Sequence, residues 1–587
     1  SDPTPQSLNT NLVLELMQAN VVTTVVGSAV ADVITGNDLD NFLDGLDGND
    51  VIVGLAGDDA IVGGAGDDTL DGGSGDDTYL FDADVPLGSD TIDESQGGID
   101  HLDFSLTTSQ GIVLDLSNPN TQLLNANVTL TLQANGTLEN VTGGGGDDNV
   151  FGNDLDNVIE GGPGNDLLAG GAGNDWYIFG ANVALGSDTI DESGGGVDTL
   201  DFSQTSLLGV SVDLGDPDLQ VVNTNLSLTL LADSTLEDVI GGSLDDTIVG
   251  NTRDNVLEGG GGDDLLTGGL GNDTYVFDVD FALGSDTIDD IGGIDTIDFS
   301  PAAFTSVVID LFDATLQQVS SSLQLTLTSD AAIENVFGGS GDDILAGNGL
   351  DNLLVGGPGD DTYVLDTNLS LGTDTIDESD GGNDTLDFSD TTSLAISVDL
   401  GVETSQVINS NLTLSIGAAD TIENVIGGSL DDTIVGNNLD NLLQGGPGDD
   451  QLDGGDGNDT YRFDAALHTG TDSIDDIAGS LDTLDFSLTE SLSVNVDLNE
   501  LTQVIGSLII NLADANAIEG LIGGQGNDSL TGNSLNNVLI GNGGDDILTG
   551  GAGDDIYRFD VDEALGADIL NEAGGGLDTL DFSATDL

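Results

Sequence analysis

Residues 27–80 read GSAVADVIT, GNDLDNFLD, GLDGNDVIV, GLAGDDAIV, GGAGDDTLD and GGSGDDTYL, six nonapeptides without a gap. Glycine stands first in each, Asp or Asn sixth, and an aliphatic residue or tyrosine eighth. The glycines permit a tight turn through positive φ. The last three residues of each unit form a short strand whose middle side chain faces inward. Turn and strand make half a coil, so two nonads close one turn of a solenoid and residues 18 apart stack along one edge. A hard cation between such turns can take oxygens from the sixth-position Asp and from backbone carbonyls at the glycine turns. Six or seven oxygens in a flexible arrangement suit Ca²⁺ better than Mg²⁺.

The unit recurs in five further blocks of four, four, three, four and four nonads, 25 in all. Every block closes on a tyrosine: Tyr79, Tyr177, Tyr275, Tyr363, Tyr461 and Tyr557, spaced 98, 98, 88, 98 and 96 residues apart. After each tyrosine runs a segment such as FDADVPLGSDTIDESQGGIDHLDFS (81–105), whose last Phe recurs at Phe104, Phe202, Phe299, Phe388, Phe486 and Phe582. The chain therefore divides into repeat modules 1–80, 81–178, 179–276, 277–364, 365–462 and 463–558, with 559–587 a partial module. The 88-residue period lacks one whole nonad, which marks the nonad as a structural unit. Between blocks, Leu226, Leu228 and Leu230 alternate with polar residues, as do Leu412, Leu414 and Ile416. These are half-buried strands, read as further solenoid coils with one projecting hairpin.

The nonads resemble the repeats-in-toxin (RTX, haemolysin-type) calcium-binding repeats, G-G-x-G-x-D-x-U-x. GGAGDDTLD (63–71), GGPGNDLLA (161–169) and GGQGNDSLT (523–531) match at every fixed position. The resemblance implies an all-β chain of tandem right-handed parallel β-rolls, with Ca²⁺ between stacked turns. It makes metal ligands of the nineteen sixth-position aspartates: Asp32, Asp50, Asp59, Asp68, Asp77, Asp148, Asp166, Asp175, Asp246, Asp264, Asp273, Asp343, Asp361, Asp432, Asp450, Asp459, Asp528, Asp546 and Asp555. Asn takes the sixth position in the second nonad of every block, at Asn41, Asn157, Asn255, Asn352, Asn441 and Asn537. One edge of a four-nonad block thus pairs two aspartates, as with Asp148 and Asp166, and is expected to bind more tightly than the Asn–Asp edge of Asn157 and Asp175. The facing edges number 13, so about 13 ions or more are expected.

Other features have plainer readings. The acids Asp90, Asp93, Asp100 and Asp103, repeated at Asp188, Asp191, Asp198 and Asp201, are either a further cation site or a solvated acidic face, the second being simpler. The tyrosines fill a widening core, and Trp176 lies on an outward position. Neither His101 nor His468 has a metal-ligating neighbour in the sequence.

Composition limits the function. There are 109 acidic and 3 basic residues, a formal charge of -106, with 37% apolar residues and no cysteine. Nucleic acid is excluded as a partner, because phosphate recognition needs a basic surface. An extracellular chain without disulfides needs another staple, and metal supplies one. No apolar run reaches the roughly 18 residues of a transmembrane segment. The first residue is Ser1 and the only methionine is Met17, which suggests a processed chain or part of a longer one. The start, SDPTPQSLNTNL, lines up with 215–226, and the end, DFSATDL, with 201–207, so head-to-tail self-association or continuation in a longer parent chain is expected. No H-E-x-x-H, G-x-S-x-G or cysteine nucleophile is present. The expected role is non-enzymatic and extracellular: a filament, stalk or surface layer, with an adhesin spacer or the calcium-triggered folding and export module of a secreted enzyme as alternatives.

Overall fold

The computed structural model describes residues 13–15, 23–133, 137–231, 236–329, 332–378, 381–418, 420–476, 481–560, 565–572 and 574–583. The end segments on which the head-to-tail expectation rests, 1–12 and 584–587, lie outside them. The chain forms two compact units, Ser1–Val276 with Phe281–Asp295, and Phe277–Asp280 with Thr296–Leu587. All regular elements among the described residues are strands.

In the first unit the eighth-position side chains stack in two columns. Val25, Leu43, Ile61 and Tyr79 pair in parallel register on one sheet. Ile34, Ile52 and Leu70 do so on the other. From Ile34 to Tyr79 these side chains are fully buried. The nonad predicts this, since only its eighth side chain points into the narrow space between the two sheets.

The segments after the tyrosines continue both sheets, as expected, but with longer coils. Leu70 pairs with Ile92 and Tyr79 with Leu102, steps of 22 and 23 residues rather than 18. Ile92 then pairs with Leu132 and Leu102 with Val141, and Leu114 pairs with Val150 of the next block. The extra length includes a hairpin, the antiparallel pairing of Gln122–Leu123 with Val128–Leu132, repeated at Gln220, Gln317, Gln406 and Gln503. Where the coil widens, stacked aromatic pairs fill it, such as Phe81–Phe104 with centroids 5.2 Å apart and Phe179–Phe202 at 5.4 Å. In the second unit one sheet runs through twelve strands, from Val308–Asp310 to Thr579–Asp581, without interruption between successive blocks.

From the third nonad of a block onward the turn takes positive φ at the second nonad position, where Gly64 has φ 93° and Gly73 φ 106°. Leu46 and Leu55 occupy the same position with φ 72° and 90°, a conformation that costs a side-chain-bearing residue about 1–2 kcal/mol. Both side chains are exposed, so replacing them removes no core. Leu55→Gly is therefore expected to raise stability by about 0.5–1 kcal/mol, after allowing for glycine's greater unfolded-state entropy. The midpoint of urea unfolding in calcium checks this; a lower midpoint would show that the leucine contributes more than its strained backbone costs.

Candidate metal centre

The sixth-position residues form two columns per block, one on each edge of the roll. Each residue's backbone N–H donates to the carboxylate of the residue one coil further on. Asp32 N–H donates to Asp50 Oδ1 at 2.6 Å and Asp50 N–H to Asp68 Oδ1 at 2.7 Å. On the other edge Asn41 N–H donates to Asp59 Oδ1 and Asp59 N–H to Asp77 Oδ1, both at 2.7 Å. One oxygen of each carboxylate thus fixes the coil-to-coil register, and the second oxygen points into the turn.

That second oxygen separates the nineteen aspartates into two groups. In Asp32, Asp148, Asp246, Asp343, Asp432 and Asp528, the first of each block, it accepts a backbone N–H: from Ser28 to Asp32 at 2.7 Å, from Gly144 to Asp148 at 2.8 Å and from Gly242 to Asp246 at 2.5 Å, with Gly339, Gly428 and Gly524 donating in the other three. These residues cap their columns. In Asp50, Asp59, Asp68, Asp77, Asp166, Asp175, Asp264, Asp273, Asp361, Asp450, Asp459, Asp546 and Asp555 the buried Oδ2 has no hydrogen-bond partner. There are thirteen of these, one for each facing edge. On the expected two-aspartate edge, Asp148 accepts from Ile112 N–H at 2.7 Å and from Gly144 N–H, and the open oxygen is that of Asp166. The sixth-position Asn residues are caps as well. Asn157 Oδ1 accepts from Asn153 N–H at 2.9 Å and its Nδ2 donates to the Glu139 carbonyl at 2.8 Å.

The open oxygens converge on the glycine that begins each nonad. A Cβ on Gly161 would stand 2.5 Å from Asp166 Oδ2, and one on Gly45 would stand 2.6 Å from the Gly63 carbonyl oxygen. A glycine in that place leaves room for an ion among carboxylate and carbonyl oxygens, the donor set that Ca²⁺ takes. A buried carboxylate oxygen without a partner is costly. Among the described residues no basic side chain reaches these thirteen except His468. The three arginines are engaged elsewhere: Arg253 with Glu237, Arg462 with Asp485 at 2.8 Å and Arg558 with Asp581 at 3.0 Å. The residues present fit calcium.

Comparison with known families agrees. The model of the RTX calcium-binding nonapeptide repeat matches residues 26–61, 44–79, 141–181, 240–275 and 522–557. The blocks that it matches, the first, second, third and sixth, are RTX calcium-binding repeats. A second family model, the peptidase M10 serralysin C terminal, matches residues 286–380 and 376–479. No curated protein matches the chain.

The RTX columns continue past the nonads. Asp68 N–H donates to Asp90 Oδ1 and Asp77 N–H to Asp100 Oδ1, both at 3.0 Å. Asp188 and Asp198 repeat this beyond Asp166 and Asp175. The simpler reading of this second ladder as a solvated face is corrected: Asp90, Asp100, Asp188 and Asp198 are buried. Asp93 and Asp103 remain half-buried. The tyrosine is likewise more than core filler. Tyr79 Oη accepts from Gly72 N–H at 2.7 Å and donates to Glu94, which gathers with Asp77 and Asp100 into one buried acid cluster. Tyr275 holds Asp290 at 2.5 Å and Tyr461 holds Asp476 at 2.7 Å in the same way. A sequence signal existed for these unforeseen residues, because an acid follows every block-closing tyrosine by 15 positions: Glu94, Glu192, Asp290, Glu378, Asp476 and Glu572.

Burial pushes the carboxyls of Asp59, Asp90, Asp166 and Asp188 above the ordinary carboxylate range. The ladder hydrogen bond opposes the shift and neighbouring carboxylates add to it, so that Asp166 reaches about 8 and Asp59 about 7. Burial takes Asp90 to about 8 and Asp188 to about 7. A raised folded-state pKa means that the metal-free roll binds more protons than the unfolded chain, whose Asp groups titrate near 3.9. The advantage is fully present below about pH 4 and is lost as pH rises through about 6–8. Metal-free protein is therefore expected to gain β-structure on acidification from pH 8 to 5, while apparent calcium affinity falls over the same interval as protons compete. Circular dichroism in chelator and calcium titrations at several pH values check this; a metal-free chain that loses structure on mild acidification would contradict it.

Proposed function

We propose that this calcium-binding repeat protein is a non-enzymatic structural array that is secreted, rigidified by calcium outside the cell, and built into an extended extracellular or cell-surface assembly such as a filament, stalk or surface layer. The observation that carries this reading is the uninterrupted twelve-stranded sheet of the second unit. Successive blocks share one sheet while each carries its own pair of acid columns, an arrangement that adds stiffness with each repeat. RTX repeats are typical of secreted proteins, and among the described residues no helix is long and apolar enough to cross a membrane. Calcium at the thirteen open aspartates, with more at the Asp90- and Asp100-type rungs, would neutralise part of the -106 charge. End-to-end contact between copies is heterologous, so it extends as an open fibre unless the rotation closes a ring.

A second reading comes from the match to the serralysin C terminal: a calcium-triggered folding and export module attached to an enzyme. An adhesin spacer uses the same mechanics. Electron microscopy of the chain in millimolar calcium separates these. Fibres or ordered sheets are expected, and monodisperse monomers at high concentration would reject the assembly reading. A catalytic domain in the parent gene would favour the module.

A further inference from the structure

One rung differs chemically from all the others. His468 enters the column between Asp450 and Asp472, with Nε2 3.1 Å from Asp472 Oδ2 and 3.9 Å from Asp450 Oδ2. All three side chains are buried, and none of these three atoms has a hydrogen-bond partner. His468 lies outside any nonad, 18 residues after Asp450 and 4 before Asp472; the expectation that it has no metal-ligating neighbour is corrected. The remaining carboxylate oxygens are held by the ladder: Asp450 Oδ1 accepts from Asp432 N–H at 2.9 Å and Asp472 Oδ1 from Asp450 N–H at 3.1 Å. The imidazole is fixed too. Its ring packs edge-on against Phe463 at 5.6 Å, and its backbone N–H donates to the Asp464 carbonyl at 2.7 Å. In four other repeats the buried residue here is a leucine directly before the strand glycine, Leu87, Leu185, Leu283 or Leu371. In the fifth repeat that place is taken by exposed Thr469, and burial passes to His468.

We propose that Asp450, His468 and Asp472 form a mixed nitrogen–oxygen site for a divalent transition-metal ion of the Zn²⁺ type, which takes the place of calcium at this one rung and leaves the other twelve open aspartates to calcium. Ligand atoms about 2.1 Å from one ion stand roughly 3.0 Å apart at a right angle and about 3.4 Å apart at the tetrahedral angle. The 3.1 Å separation already suits such a site, and the 3.9 Å separation needs only a small side-chain shift. Imidazole nitrogen selects Zn²⁺, Ni²⁺ or Cu²⁺ over Ca²⁺, whose ligands are oxygens. The rival is a plain imidazolium–carboxylate ion pair.

The test uses the full chain saturated with calcium. Zn²⁺ is titrated calorimetrically, and Co²⁺ is followed by its visible absorption. One Zn²⁺ equivalent is expected to bind above the calcium background and to displace the Co²⁺ bands. His468→Leu, which fills the buried place with an apolar side chain as the sister repeats do, should lose that equivalent while keeping calcium-dependent β-structure; His101→Ala should keep both. Equal Zn²⁺ binding by wild type and His468→Leu would overturn the proposal. If His468→Leu fails to fold, ¹⁵N NMR of the wild-type imidazoles decides. Zn²⁺ should shift the His468 Nε2 resonance, and an unmoved resonance would establish the ion pair instead. Loss of calcium-dependent folding in wild type would count against the calcium reading alone.

Discussion

Removing calcium is expected to convert the chain reversibly from β-sheet to a disordered state. Thirteen buried sixth-position carboxylates each leave one oxygen without a partner, in a chain with 109 acidic and 3 basic residues. Ionised and unpaired, these groups repel along each column and lack the hydration they have in the unfolded chain. The eighth-position aliphatic side chains cannot outweigh this, because a two-sheet roll is one side chain thick and buries little apolar area per coil. Metal binding and folding are therefore one process. In chelator at pH 8 the β-sheet circular dichroism should be lost. The buried tyrosines Tyr79, Tyr177, Tyr275, Tyr363, Tyr461 and Tyr557 should become solvent-exposed. Both signals should return on adding calcium, with a midpoint of about 10⁻⁴–10⁻³ M typical of extracellular sites. High salt should restore part of the structure by screening. A spectrum unchanged in chelator would mean that packing alone holds the coils.

The second large effect concerns single rungs. Asp166→Ala is expected to remove calcium from its rung and to loosen the register, since Asp148 N–H loses its acceptor at 2.8 Å as well. Asn157→Ala removes two ordinary hydrogen bonds, to Asn153 N–H and the Glu139 carbonyl, and should cost about 1–3 kcal/mol of stability with the calcium count unchanged. Asp148→Ala should behave like Asn157→Ala, because both are column caps. Equilibrium dialysis against ⁴⁵Ca²⁺ together with thermal unfolding distinguishes the two kinds of loss. Equal falls in bound calcium for Asp166→Ala and Asn157→Ala would show that caps and open rungs are not different.

The nonad's own periodicity made the fold and most of the column residues legible. Spacing of 18 brings Asp50 to Asp68 and Asp59 to Asp77, and the structure has those neighbours joined by ladder hydrogen bonds. The same rule hides the column residues beyond each tyrosine. Asp90 lies 22 residues beyond Asp68 and Asp100 lies 23 beyond Asp77, because the coil there bulges to admit the Phe81–Phe104 pair. Residues that continue the columns therefore read as a separate acidic face. Glu94 and its counterparts were obscured because no nonad contains them, although the tyrosine that holds each stands at a fixed 15-residue distance. The division of aspartates into caps and open ligands has no trace in the residue type. It depends on whether another nonad precedes the residue on the same edge, as Asp148 and Asp166 show within one column.

The most direct test of the central claim is an anomalous difference map from calcium-grown crystals, recorded at long wavelength where calcium scatters strongly. Peaks between coils beside Oδ2 of Asp50, Asp59, Asp166 and the other open aspartates, with none held by the caps alone, are the result expected. Density confined to exposed fifth-position carboxylates such as Asp58 and Asp67, with the space between coils empty, would contradict it.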